Sequence, residues 1–84
     1  MRTFSCDIET DGLDPSVVWC IAVQDVDSGQ VITFSGTTLG LFKPWMASEV
    51  DCLVFHNGIG YDIPVLERLM NIDFSGVQIE DTLV

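Results

Sequence analysis

The stretch FSCDIETDGL at residues 4–13 constrains the fold most, because it predicts a short apolar strand that ends in two acids and a glycine turn. Side chains alternate between the two faces of a strand, so Asp7 and Glu9 point the same way, about 6–7 Å apart along the chain. The two carboxylates repel each other unless a cation lies between them, and Mg²⁺ is often held by one or two carboxylates. The pair is therefore a candidate metal site, and a solvated strand end before a turn is the alternative.

A second pattern of strand, loop and helix spans residues 51–66, DCLVFHNGIGYDIPVL. An apolar run is followed by a glycine-rich polar turn, and a helical pattern begins near Asp62. In open α/β sheets, sites form at the edge where neighbouring strands end. If the two strands are neighbours, Asp62 joins Asp7 and Glu9 at that edge.

The segments DIETDGL (residues 7–13) and HNGIGYD (residues 56–62) resemble the first and second motifs of the proofreading 3′–5′ exonuclease domain of family A DNA polymerases. The resemblance is closest to the phage T7-type polymerases, whose exonuclease domain is a DEDD (DnaQ-like) nuclease with a ribonuclease H-like fold. The closing EDTLV (residues 80–84) is similar to an Asp-Thr-Leu-Val segment of that family, so the similarity runs the length of the chain. The family's third motif, Tyr-x-x-x-Asp, has no counterpart in these 84 residues, which resemble the N-terminal part of the domain.

The resemblance implies that Asp7, Glu9 and Asp62 are catalytic residues that hold two divalent metal ions, Mg²⁺ or Mn²⁺. By this resemblance, Asp7 and Glu9 hold the ion that carries the attacking water, and Asp7 also reaches the second ion. Asp62 binds that second ion from the other side. Without the third-motif acid, the first ion lacks one ligand.

Three further residues match family positions that contact the substrate. Thr10 and Leu13 match positions at the last nucleotide, where Leu13 is an apolar wedge against the terminal base, and Asn57 matches a position near the substrate strand. From the residues alone, Thr10 hydrogen-bonds within the turn, Leu13 belongs to the core and Asn57 is a common turn residue. His56 is interpreted as structural because it directly follows a buried strand, and Asp81 as the N-cap of a helix.

The function that the resemblance implies is metal-dependent removal of nucleotides from single-stranded 3′ ends of DNA, as in proofreading. The implied partner is a polymerase domain or a separate polymerase chain, and full activity is expected to need a partner chain or a missing segment. Two other hypotheses are open. One is a catalytically inactive exonuclease-like module that docks on a polymerase or another protein, and the other is a small metal-binding domain without nuclease function.

The charge balance weighs against binding of nucleic acid by cationic side chains. Thirteen acids and three bases (Arg2, Lys43 and Arg68) give a formal net charge of −10. Lys and Arg normally supply the affinity for the phosphate backbone, whereas metal ions can reverse the local charge of a carboxylate cluster. Affinity for a polynucleotide must therefore come from metal ions or from a basic partner.

The chain is apolar for its size, with 48% hydrophobic residues and a mean hydropathy of +0.38. This apolar content indicates that a partner covers part of the exposed apolar surface. A second copy of the chain, in a homo-oligomer, is one candidate for that partner. No apolar run reaches the roughly 18–20 residues of a membrane span, and the N-terminus lacks the layout of a secretory signal. We therefore expect no membrane association and a cytoplasmic location, in the host cytoplasm if the protein is phage-encoded.

The three cysteines, which are Cys6, Cys20 and Cys52, are expected to be reduced core residues.

The hydrophobic pattern predicts one partial α/β domain over residues 1–84 with the element order β-β-β-α-β-α-β. The resemblance implies that its sheet is mixed and ribonuclease H-like, incomplete at the C-terminus. Strands are predicted at residues 3–8, 17–26, 31–34, 51–55 and 77–79, and helices at about 43–49 and 61–71. The second strand is expected to be buried on both faces, because residues 17–23 carry almost no polar side chain.

Overall fold

Five strands form one mixed sheet in the computed structural model, which describes residues 1–82. They are β1 (Thr3–Thr10), β2 (Val18–Asp25), β3 (Val31–Ser35), β4 (Cys52–Phe55) and β5 (Gln78–Asp81). Their spatial order is β3-β2-β1-β4-β5. The predicted class, the mixed sheet and the order of elements along the chain are confirmed.

The central strand of the sheet is β1. It pairs antiparallel with β2 and parallel with β4, and β5 adds in parallel to the outer side of β4. Because β1, β4 and β5 run in the same direction, their carboxyl ends lie at one edge of the sheet. The acids of the first strand and of the turn after β4 are both near that edge.

Both helices, α1 (Phe42–Glu49) and α2 (Ile63–Met70), pack on one face of the sheet. The crossovers from β3 to β4 and from β4 to β5 advance in the same direction, and right-handed connections then put both helices on the same side. On this side α1 builds an aromatic cluster with ring centroids 4.9–6.0 Å apart. Its members are Phe4 and Phe34 of the sheet and Phe42 and Trp45 of α1. From α2, Val65 and Leu66 enter the same core.

The second strand is not buried on both faces as predicted. Its burial alternates, because Ile21 and Val23 are buried while Trp19 and Gln24 are exposed. No helix of residues 1–82 covers the second face of the sheet, on which the exposed Trp19 and Gln24 lie. Trp19 remains 58% exposed.

The ends of several elements differ from the prediction by a few residues. A 3₁₀-helix (Gly36–Leu41) precedes α1, which begins at Phe42. Pro44 lies in the first turn of α1, where a missing N–H breaks no helical hydrogen bond. The predicted second helix divides into a π-helical turn (Gly58–Asp62) and α2, and β5 extends to Asp81. None of the helices in the described part of the chain is long and apolar enough to cross a membrane.

A concave groove of about 550 Å³ lies on the second face of the sheet. Ser5 and Asp7 of β1 pair across the sheet with Gln24 and Ala22 of β2, and all four line the groove. Further lining residues include Val31, Val54, His56 and Thr82. Since His56 follows β4 and Thr82 follows β5, the groove reaches the edge at which the parallel strands end.

Candidate active site

The turn between β4 and α2 positions Asp62. Asn57 opens it in the left-handed conformation (φ 61°), which Asn adopts more readily than most residues. Gly58 follows in close contact with the preceding strand, and a Cβ at this position would overlap the Phe55 side chain. After the π-helical turn, Pro64 occupies the first turn of α2, so Asp62 lies at the N-terminal end of that helix.

Asp81, the last residue of β5, holds this turn. One carboxylate oxygen accepts a hydrogen bond from the backbone N–H of Asn57 and the other from that of Ile59, both at 2.8 Å. The backbone N–H of Thr82 donates to the carbonyl of Phe55 at 2.9 Å, which extends the contact between the two strand ends. The helix that Asp81 is predicted to cap falls outside the described residues, and within them Asp81 supports the turn.

Tyr61 joins the same turn to the end of β1. Its hydroxyl donates to the carbonyl of Gly12 at 2.7 Å and lies 2.6 Å from Thr10 Oγ1. Thr10 Oγ1 also accepts the backbone N–H of Gly12 at 3.3 Å. Thr10 thus makes the hydrogen bonds expected within the turn, and its contact with a substrate stays a prediction.

The other candidate substrate residues, Leu13 and Asn57, and the neighbouring His56 lie in different surroundings. Leu13 is 96% exposed, so its interpretation as a core residue is wrong. Asn57 is a turn residue, as its type indicates, and its N–H is bound by Asp81. The Nδ1 of His56 lies 3.1 Å from the Thr82 hydroxyl, which gives this exposed imidazole a structural partner.

The carboxylates of Asp7 in β1 and Asp81 in β5 act on that of Asp62 in the turn before α2. Asp62 is 6% exposed, and burial is the first cause that raises its pKa from the usual 3.8 to about 6. The negative charges of Asp7 and then Asp81 raise the pKa of Asp62 further. The structure therefore brings Asp7 and Asp62 within electrostatic range of each other and adds Asp81. Glu9 is exposed on the same face of β1 as Asp7 and is not among the groups that raise this pKa.

The donor chemistry of these residues fits a hard divalent cation, because carboxylate oxygens are the ligands that Mg²⁺ and Mn²⁺ take. Burial first, and then the charges of Asp7 and Asp81, raise the pKa of Asp62, and a bound cation would offset both effects. Within residues 1–82, however, no group of three or more His, Cys, Asp or Glu side chains is arranged to hold a metal ion. Asp7 and Asp62 thus lie near each other without forming a finished coordination shell, and the assignment of Asp7, Glu9 and Asp62 as metal ligands stays a prediction.

The three cysteines are free thiols, and the core position predicted for all three holds for Cys6 and Cys52 but is wrong for Cys20. Cys6 and Cys52 are buried, while Cys20 is half-buried. Burial, followed by the charges of Asp62 and Asp7, raises the pKa of the Cys6 thiol well above its usual range. Cys6 is therefore a neutral core residue beneath the acids.

The sequence interpretation missed two features of this edge. Asp81 carries no signal of its role beyond being an acid near the end of a strand, because its partners lie more than 20 residues away along the chain. Trp19 belongs to an apolar run, and this pattern predicts burial although the side chain is exposed. The break in the strand register opposite Glu9 and Thr10 could not be recognised from that run.

A model of the family described as RNase_H superfamily matches residues 4–82. This range includes both helices and all the strands except the first residue of β1, and the chain therefore belongs to the RNase H superfamily. The predicted ribonuclease H-like fold is confirmed.

Among solved structures, the family B DNA polymerase from the hyperthermophilic archaeon Pyrobaculum calidifontis matches with a TM-score of 0.74 at 18% sequence identity. The match covers 98% of this chain and 15% of the polymerase chain. A search of curated proteins found no match. The expected closeness to a family A polymerase of the phage T7 type is not supported by these comparisons, in which the polymerase is of family B.

Proposed function

We propose that this chain is a metal-dependent 3′–5′ exonuclease domain that removes nucleotides from single-stranded 3′ ends of DNA in association with a DNA polymerase. The observation that carries the proposal is the parallel pairing of β1 with β4, which brings Asp7 and the buried Asp62 of the turn after β4 to one edge of the sheet. After burial, the Asp7 charge also raises the pKa of Asp62. The structural similarity to a family B DNA polymerase supports the polymerase context.

In this proposal, Asp7, Glu9 and Asp62 are the metal ligands. Two divalent ions would supply an activated water and stabilise charge on the phosphodiester oxygens. Asp7 and Glu9 share one face of β1, so their oxygens approach an ion from the same strand. Asp62 approaches from the π-helical turn that precedes α2, and the hydrogen bonds of Asp81 and Tyr61 hold that turn.

Substrate contacts in this proposal come from the two turns beside the acids. The exposed Leu13 side chain projects from the turn that Tyr61 fixes through Gly12, and is free to meet a terminal base. Thr10 lies at the base of the same turn. Asn57 is near the other side of the site, where its side chain is available while its backbone N–H is bound by Asp81.

The test is incubation of the full chain with single-stranded DNA labelled at its 3′ end, in Mg²⁺ or Mn²⁺. The proposal predicts release of labelled mononucleotide that stops with EDTA and with Asp7→Ala. Asp14→Ala, which removes an exposed acid of the loop after β1, is the matched control and should leave release unchanged. Absence of release by the wild-type chain, alone and with added DNA polymerase, would reject the proposal.

A second candidate is a non-hydrolytic module that docks on a polymerase or another protein. The groove on the uncovered face of the sheet favours it, since a surface of this size next to exposed Val31 offers apolar contact to a partner. With a net charge of −10, the expected partner is basic. Metal binding without nucleotide release, together with a stable complex with polymerase, would select this candidate.

The location remains a proposal as well. We propose the cytoplasm, where a polymerase partner would act. A homo-oligomer through exposed apolar surface is also proposed, and sedimentation of the purified chain tests it.

A further inference from the structure

The strand β2 carries a bulge beside the candidate active site. Glu9 pairs with Cys20 and the next residue, Thr10, pairs with Val18, so the register shifts at this step and Trp19 is the extra residue. Bulges often occur next to active sites, where they redirect a side chain.

The bulge puts the Trp19 indole on the same face of the sheet as Glu9. Val18 and Ile21 are both buried, at 7% and 0% exposure, and so both face the helices. In a regular strand, two residues three apart point to opposite faces. The two residues between Val18 and Ile21 must therefore share the outer face, where Cys20 is paired with Glu9. Trp19 directly precedes Cys20, and 58% of the Trp19 surface is exposed.

The charges of the chain limit how it can bind a nucleic acid strand. Its three Lys and Arg side chains are engaged by the chain itself, since Arg2 bonds Glu49, Lys43 bonds the carbonyl of Asn71 and Arg68 bonds the carbonyl of Pro15. Direct phosphate contacts by cations are thus largely unavailable. Proteins that bind single strands also stack bases on aromatic side chains, at a strength that hardly depends on the base.

We propose that Trp19 is a stacking platform for a nucleobase close to the 3′ end of a single DNA strand whose terminal phosphodiester lies at Asp7 and Glu9. This inference rests on the proposed exonuclease function and adds to it the residue that holds the substrate by its bases. The bulge places the indole on the face of Glu9, beside the residue that pairs with it, and in this proposal a strand bound at the acids passes over the indole. The affinity for the DNA strand then comes from stacking of a base face on the indole and depends little on which base is stacked.

Tryptophan fluorescence reports this contact directly. The chain has two tryptophans, and Trp45 is packed among Phe4, Phe34 and Phe42. Titration of the full chain with a ten-residue oligothymidine in Ca²⁺ should quench the emission of Trp19, and Trp19→Phe should show no quenching. Ca²⁺ serves as an oxygen-binding ion for the carboxylates in the binding assay.

The affinity of the same oligonucleotide, labelled at its 5′ end and followed by fluorescence anisotropy, gives the second readout. Trp19→Ala should weaken binding by about 5- to 100-fold, the range of one base stacked on an aromatic side chain. Trp19→Phe keeps a ring and should stay within about threefold of wild type. Val26→Ala, which shortens an exposed apolar side chain at the hairpin end of the molecule, is the matched control and should bind as wild type.

An oligonucleotide that lacks its last two bases but keeps the sugar-phosphate backbone completes the test. Wild type should bind it as weakly as Trp19→Ala binds the intact strand, and Trp19→Ala should show no further loss. Equal affinity of wild type and Trp19→Ala for the intact strand would overturn the role of Trp19. In that case nucleotide release by the wild-type chain would still support the exonuclease function. Failure of wild type to bind the strand at all would also overturn the role of Trp19, whereas failure to release nucleotides despite quenching would overturn the exonuclease alone.

Discussion

The Asp81 carboxylate and the backbone N–H of Asn57 are joined by a hydrogen bond of 2.8 Å, which ties the end of β5 to the turn before α2. The second carboxylate oxygen binds the N–H of Ile59 at the same distance. Both oxygens are therefore used by one turn, and that turn carries Asp62 to the edge of the sheet. A side chain at the end of one strand thus helps to position an acid in the turn before the neighbouring helix.

Asp81→Asn should lower the free energy of unfolding by about 1–3 kcal/mol, because the new amide group presents a donor to one of the two N–H groups. The same change should weaken binding of Mn²⁺, since the turn that positions Asp62 loses one of its hydrogen bonds. Urea denaturation and calorimetric titration measure the two effects.

Asp25→Asn is the matched control for that substitution. Asp25 also accepts two backbone N–H groups, from Asp27 at 2.9 Å and Ser28 at 3.3 Å, but both bind the same oxygen, which Asn retains. The control should lose less stability and keep its affinity for Mn²⁺. Equal losses in the two variants would show that Asp81 has no special role in positioning Asp62.

Tyr61→Phe should lower the free energy of unfolding by about 1 kcal/mol, because it removes the hydroxyl that links the Gly12 carbonyl to Thr10. Hydrogen exchange at the Gly12 amide should accelerate as the turn after β1 loosens. Ser48→Ala removes a surface hydroxyl that donates to the carbonyl of Trp45 at 3.3 Å, and should cost under about 0.5 kcal/mol. If Tyr61→Phe is as stable as this control, the hydroxyl does not hold the turn.

The pKa of Asp62 predicts an unusual pH dependence of stability. Since this pKa is raised from 3.8 to about 6, the folded state binds more protons than the unfolded state between those values. The contribution of Asp62 to stability is therefore full below about pH 4 and is lost as the pH rises through 6. The loss is about 2–3 kcal/mol.

Asp62→Asn removes this effect, so it should be more stable than wild type at pH 7 in EDTA and should lose that advantage near pH 4. The measurement is the difference in unfolding free energy between variant and wild type at pH 4, 5, 6 and 7. Asp14→Asn, at an exposed loop acid, should show no such crossover. A constant difference across this range would contradict the burial and charge repulsion assigned to Asp62.

Gly58→Ala should cost about 2–3 kcal/mol, because the added Cβ would overlap the Phe55 side chain, which is itself in the core. Gly40→Ala is the matched control, since nothing lies within 4 Å of a Cβ built at Gly40. It should be neutral or slightly stabilising, because Ala restricts the unfolded chain more than Gly. Thermal unfolding of the two variants compares them, and similar melting temperatures would mean that the turn tolerates a side chain at Gly58.

The sequence predicted the elements whose pattern is local. The alternation around Asp7 located β1, and the glycine-rich turn after residues 51–55 placed Asp62 at a helix start. The sequence-based prediction failed where burial or hydrogen bonding depends on residues that are distant along the chain. The apolar run of β2 suggested burial on both faces, whereas the described residues cover only one, and Trp19 stays exposed. Asp81 was assigned to a helix cap because its two N–H partners belong to a distant turn.

Calorimetric titration with Mn²⁺ of the wild-type chain, Asp7→Asn, Asp62→Asn and the double variant tests most directly whether the first strand and the turn before α2 share a cation. If they do, each single substitution weakens binding at least tenfold and the double variant is little weaker than either, because the same ion is lost each time. Asp14→Asn should bind as wild type. Undiminished binding by Asp62→Asn, or no binding by wild type at millimolar Mn²⁺, would contradict the shared site.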